Sequence, residues 1–133
     1  MNTSSARETI LVVDDEVLVR MVISAYLRDC GYKVIEATNA DEALTVLQHL
    51  AVKVDVVFSD IEMPGSMDGF ALSTWIRANR PGLDVVLAGT VKRAVNAAEE
   101  LCEEGALPKP YEPQAVLSRI RKLMARRATS KKD

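Results

Sequence analysis

The chain has 133 residues, 48% of them hydrophobic and 27% charged, with a formal net charge of -2. A length of this order suits one domain, and the near-neutral charge leaves no footprint for nucleic acid as the main partner. No apolar run reaches the length of a membrane span, and the polar start Met1 to Arg7 is not a signal peptide.

Residues 1–7 read as a flexible leader, 8–125 as the domain, and 126–133 as a basic flexible tail holding Arg126, Arg127, Lys131 and Lys132. Thr9 to Val13 is a β-branched apolar run, the pattern of a strand, and it ends in the acidic turn Asp14-Asp15-Glu16. Val19, Val22, Ile23, Tyr26, Leu27 and Cys30 then follow helical spacing, and Gly31 stops that helix. Tyr32 to Ala37 forms a second strand. Asn39 caps a second helix, with Glu42 three residues on as in a capping box, and Ala40, Ala43, Leu44 and Leu47 make its buried face. His49 lies at the exposed end of that helix and is assigned no role. Val54 to Ser59 is the third strand, and Leu72, Trp75 and Ile76 line the inner face of a third helix ending near Arg80-Pro81-Gly82. Asp84 to Ala88 is the fourth strand. Val91, Ala94, Val95, Ala98, Leu101 and Cys102 stripe a fourth helix; Ala106 to Pro108 is a very short fifth strand; and Val116, Ile120, Leu123 and Met124 stripe a fifth helix. Cys30 and Cys102 show no metal spacing and fall on apolar helix stripes, which predicts buried reduced thiols and a cytoplasmic protein.

Five strands alternating with five helices imply an α/β domain with a doubly wound parallel sheet and right-handed crossovers. Pro108 cannot donate to a ladder, so the fifth strand belongs at an edge. The flavodoxin-like order 2-1-3-4-5 puts it there and makes strands one and three neighbours.

That order brings chemistry together. Asp60 ends the buried third strand where it empties into the loop Ile61-Glu62-Met63-Pro64-Gly65. Asp14 and Asp15 follow strand one and Lys109 follows strand five, all on the rim formed by the C-terminal strand ends, where open α/β sheets build their sites. Crowded carboxylates raise one another's pKa. An oxygen-only ligand set with open positions suits Mg²⁺, and Lys109 adds a positive point charge. Taken alone, Asp14-Asp15-Glu16 could instead serve the positive end of helix one.

The motifs Leu11-Val12-Val13-Asp14-Asp15-Glu16, Asp60-Ile61-Glu62-Met63-Pro64-Gly65 and Lys109-Pro110 together resemble those of the receiver domain of two-component response regulators, over about 8–125. The resemblance implies that Asp60 accepts a phosphoryl group from the phosphohistidine of a sensor histidine kinase or phosphotransfer protein. It implies Mg²⁺ bound by Asp15, Asp60 and the backbone carbonyl of Glu62, with Asp14 acting through water. Lys109 would pair with the acceptor and then with phosphoryl oxygens, and the Lys109-Pro110 peptide resembles one that is cis in the family. Such a domain assists its own phosphorylation and dephosphorylation without being an enzyme in the usual sense.

Three positions depart from the family pattern. Gly69 falls one place later than the family's loop glycine, so Ser66 reads as an insertion that lengthens the loop over the site. At the end of strand four, where the family carries a hydroxyl, Leu87-Ala88-Gly89-Thr90 offers Thr90 alone, which either reaches the site through Gly89 or leaves the contact unmade. The family's aromatic switch position is Ala106, and Tyr111 is a packing residue by spacing. The expectation is a single-domain receiver that signals by protein contact, docking an unknown downstream protein on helix four, strand five and helix five. The alternatives are an interaction module of the same fold with weak or no phosphorylation-dependent switching and, more remotely, a Mg²⁺-dependent phosphotransferase or phosphatase acting on small molecules.

Overall fold

The computed structural model describes residues 8–49, 51–89 and 107–131. The leader 1–7, Thr90, the helix expected over 91–102 with Cys102, and Ala106 lie outside the described residues. Five strands form one sheet: β1 (Thr9–Val13), β2 (Lys33–Ala37), β3 (Val56–Asp60), β4 (Asp84–Gly89) and β5 (Leu107–Pro108). All pairings are parallel and the order is β2-β1-β3-β4-β5, as the alternating pattern predicted, with Pro108 on the edge strand.

The central strands β1 and β3 are apolar on both sides over most of their length because helices cover both faces. Ile10, Val12, Val56, Phe58 and Val86 pack against Ile23 and Leu27 of α1 (Val17–Asp29) and Val116 and Ile120 of the C-terminal helix (Pro113–Lys131). Leu11, Val13 and Val57 face Ala43 and Leu47 of α2 (Ala40–Leu47) and Leu72 and Ile76 of α3 (Gly69–Asn79), with Trp75 half-buried at the margin. This alternation has a functional consequence. Val12 lies opposite Phe58, so two residues further on the side chains of Asp14 and Asp60 emerge on the same face.

Local signals hold at most ends. Asn39 Oδ1 accepts the Glu42 N–H at 2.8 Å, and Glu42 Oε1 reaches back to the Thr38 N–H at 2.7 Å, one residue before the cap. Gly31, at φ 102°, turns the chain out of α1. His49 is exposed, as expected.

Three expectations need correction. Val22 was placed on the buried stripe of α1 but is 58% exposed, and Ser24 takes a buried place instead. The first two turns of α1 carry apolar residues nearly all round, so spacing does not select the inner face. Cys30 is half-buried at the C-cap of α1, beyond the last fully covered turn. The C-terminal helix runs on to Lys131, through residues assigned to a flexible tail. After Pro113 it meets no glycine or proline, and its Ala, Arg and Lys residues are good helix formers.

Candidate functional site

The carboxylates of Asp14, Asp15 and Asp60 each offer an oxygen within 4.8 Å of the others. Asp14 and Asp60 are buried while Asp15 is exposed, so the cluster has a dry floor and an open side. β1 and β3 deliver the first and last of these side by side. β4 and β5 deliver the cation: Ala88 pairs with Leu107, Gly89 pairs with Pro108, and the Lys109 N–H donates to the Gly89 carbonyl at 2.6 Å. Lys109 Nζ then lies 2.8 Å from Asp60 Oδ1. The Lys109-Pro110 peptide is cis.

The backbone around the cluster is tied down. The Asp14 N–H donates to the Ala37 carbonyl at 3.1 Å, and Asp14 Oδ1 accepts the Glu16 N–H at 2.9 Å. Past Asp60, the Ile61 N–H donates to the Ala88 carbonyl at 2.8 Å. The Gly69 N–H closes the loop by donating to the Ile61 carbonyl at 2.8 Å. A Cβ on Gly69 would stand 2.7 Å from Ile61 Cα and closer still to the Asp60 carbonyl oxygen, so only glycine fits where α3 begins. Gly69 thus rests on the acceptor strand, and in the exposed loop before it the Ser66 hydroxyl lies 3.4 Å from Asp41 of α2. Asp68 caps α3 by accepting the Ala71 N–H at 2.9 Å.

The electrostatics follow from burial. Desolvation raises the Asp14 pKa from 3.8 to about 6, against the Glu16 N–H that lowers it, and the Asp60 charge raises it further. Desolvation also raises Asp60, opposed by the hydrogen bond and charge of Lys109 and by the Glu62 N–H. For Lys109 burial works against the ammonium, yet the Asp60 carboxylate more than offsets it and the pKa is raised. Three crowded acids restrained by one ammonium form a site that a hard divalent cation would relieve.

Of the residues expected at the site, Asp14, Asp15, Asp60 and Lys109 converge, and Glu62 sits two residues past Asp60 with its N–H toward that carboxylate and its side chain exposed. Thr90 lies outside the described residues. The β4 residue in register with Asp60 is Ala88, which carries no hydroxyl. Tyr111 packs its ring edge-on to Phe58, with centroids 5.7 Å apart, and so behaves as the packing residue its spacing suggested. Sequence reasoning missed Arg20, whose Nη1 donates to the Asp14 carbonyl at 2.7 Å; an arginine one turn beyond an acidic turn was the available signal.

Comparison with known proteins agrees with this geometry. The response regulator receiver domain family matches residues 10–121. The chain belongs to that family. It is 37% identical over 110 residues to the DNA-binding transcriptional regulator NtrC of Escherichia coli, covering 80% of this chain and 22% of that protein. It is 31% identical over 122 residues to the sensor kinase CckA of Brucella abortus, covering 90% of this chain and 13% of that one. Among solved structures, a response regulator receiver domain from Clostridium thermocellum superposes with a TM-score of 0.80 at 27% identity, covering 92% of this chain and 98% of the other. The response regulator TrrA of Thermotoga maritima, in complex with Mg²⁺-BeF, gives a TM-score of 0.76 at 27% identity, covering 87% and 98%. The chain spans about half or less of the length of the curated relatives it matches.

Proposed function

We propose that this chain is a phosphoacceptor receiver in which Asp60 takes a phosphoryl group from the phosphohistidine of a sensor histidine kinase or phosphotransfer protein. An Asp60 oxygen forms the new P–O bond as the P–N bond breaks, and the imidazole nitrogen departs with the electron pair. Little covalent work is asked of other side chains, since phosphoryl transfer needs mainly positioning and charge neutralisation. Lys109, 2.8 Å from Asp60 Oδ1, keeps the nucleophile ionised and moves with the charge onto the phosphoryl oxygens. Asp14, Asp15, Asp60 and the Glu62 backbone carbonyl form the set that would hold Mg²⁺, with Asp14 acting through water. Bound there, Mg²⁺ would neutralise the crowded carboxylates and offset charge on the transferring group. The donor set fits, being all oxygen with one open side, and TrrA is a relative solved with Mg²⁺-BeF.

The surface beside the site supports a protein donor. Val17, Leu18, Met21 and Val22 of α1 are exposed, and next to Lys109 a cavity of about 520 Å³ opens between α1, the loop residues Pro110 and Tyr111, and Pro113 at the start of the C-terminal helix. Among the described residues no helix is long and apolar enough to cross a membrane. The cytoplasm as its compartment and an unnamed downstream protein as its output partner complete the reading.

The convergence of three carboxylates and one lysine carries this proposal. Incubation with acetyl phosphate and Mg²⁺ tests it: mass spectrometry should find one added phosphoryl group on the wild type and none on Asp60→Asn, and no uptake by either protein would reject it. Ala88, facing Asp60 without a hydroxyl, favours one second reading, a receiver fold that binds its partner with weak or no dependence on phosphorylation. Equal partner affinity before and after phosphorylation would select that reading.

A further inference from the structure

We propose that Arg20 is a positioning residue for the cation site, acting through the backbone of the Asp14–Asp15 turn. This rests on the metal-assisted reading above. The Arg20 side chain is only 11% exposed. Its Nη1 donates to the Asp14 carbonyl oxygen at 2.7 Å and its Nε to Glu36 Oε1 at 3.1 Å. Glu36 is held in turn from its other oxygen by Arg28 Nη2 at 3.3 Å, and the same Nη2 donates to the Val34 carbonyl at 3.1 Å. With the Asp14 N–H on the Ala37 carbonyl, the peptide groups on both sides of Asp14 are fastened to β2, one directly and one through the guanidinium.

Two consequences follow. Arg20 holds the oxygen of the Asp14–Asp15 peptide, which fixes the backbone from which the exposed Asp15 carboxylate extends. The guanidinium charge is met by Glu36, so Arg20 reaches the Asp14–Asp15 turn through a backbone oxygen and not through a carboxylate of the cluster. Both roles need a planar fork that meets two acceptors at fixed angles, which an ammonium point charge cannot do. Groups that orient metal ligands in this way cost roughly tenfold or more in metal affinity when removed.

The test is calorimetric titration of Mg²⁺ into the full chain, with thermal unfolding of the same samples to confirm folding. Arg20→Met should weaken Mg²⁺ binding roughly tenfold. Arg20→Lys should fall between Arg20→Met and the wild type. Ile23→Val, a core change one turn along α1, should lower the melting temperature and leave Mg²⁺ affinity unchanged. Where Arg20→Met does not fold, Glu36→Gln probes the same chain more mildly and should also weaken binding. Arg20→Met with wild-type affinity, or a loss equal to that of Ile23→Val, overturns the positioning role while leaving the metal reading intact. No Mg²⁺ binding by the wild type, or none lost in Asp15→Asn, overturns both.

Discussion

The two ends of the sheet each bury aspartate, and they treat it in opposite ways. At the N-terminal edge, Asp55 Oδ2 accepts the Thr9 N–H at 2.8 Å while the Asp55 N–H donates to the Thr9 carbonyl at 2.9 Å. That carboxylate closes the gap between β1 and the approach to β3, with Lys53 Nζ 4.0 Å away. At the C-terminal edge, Asp14 and Asp60 are buried more deeply than Asp55, lie beside each other and Asp15, and share a single lysine. A carboxylate that satisfies backbone is structural. Carboxylates that crowd one another hold stability in reserve for a ligand, and the comparison shows that burial alone does not separate the two uses.

The most severe break is Asp60→Asn, which should abolish phosphoryl uptake from acetyl phosphate, read by intact mass. Gly69→Ala comes next. Its methyl would collide with the Asp60 carbonyl and Ile61 Cα, backbone that cannot yield cheaply, so chemical denaturation should show a loss of about 3 kcal/mol. Phosphoryl uptake per folded molecule should fall as well, because the strain lands on the acceptor's own backbone.

The pH dependence of the metal-free protein is smaller. The Asp14 pKa is raised by burial from 3.8 to about 6, so the folded state holds this proton more tightly than the unfolded chain. The resulting stabilisation is complete below pH about 4 and is lost as pH rises through about 6, a change of roughly 3 kcal/mol. The burial-raised Asp60 adds in the same direction. Denaturation across this range should show the decline; Asp14→Asn, which keeps an acceptor for the Glu16 N–H, should flatten it and be more stable than wild type at pH 7, and saturating Mg²⁺ should offset it. Replacing the aspartate at the opposite edge should destabilise instead. Asp55→Ala leaves the Thr9 N–H without its side-chain acceptor and should cost about 1 kcal/mol at pH 7, with Mg²⁺ affinity unchanged.

The centre of the sheet was legible because β1 and β3 are buried on both faces: an apolar run such as Thr9 to Val13 can be little else, and its observed bounds coincide with the run. The site was legible for a related reason. Once β1 and β3 are neighbours, Asp14 and Asp60 meet by register, and an edge strand ending in Pro108 presents Lys109 to the same rim. What stayed hidden depends on contacts between distant peptide groups. No periodicity announces that Arg20 holds the Asp14 carbonyl, or that Gly69 rests on the Asp60 backbone. The inner face of α1 was hidden at Val22 because the exposed apolar residues there mimic a core stripe. The cap at Asp68 was passed over among the loop residues that surround it.

The seat of Gly69 on the Asp60 backbone divides the neighbouring chain mechanically. Between Ile61 and that contact the loop is anchored at points away from the acceptor as well, Met63 and Met67 on the α2–α3 core and Asp68 at the start of α3, so a change of length at its exposed middle need not displace the nucleophile. The covering over the acidic cluster and the spacing of the carboxylates beneath it are thus held by separate contacts.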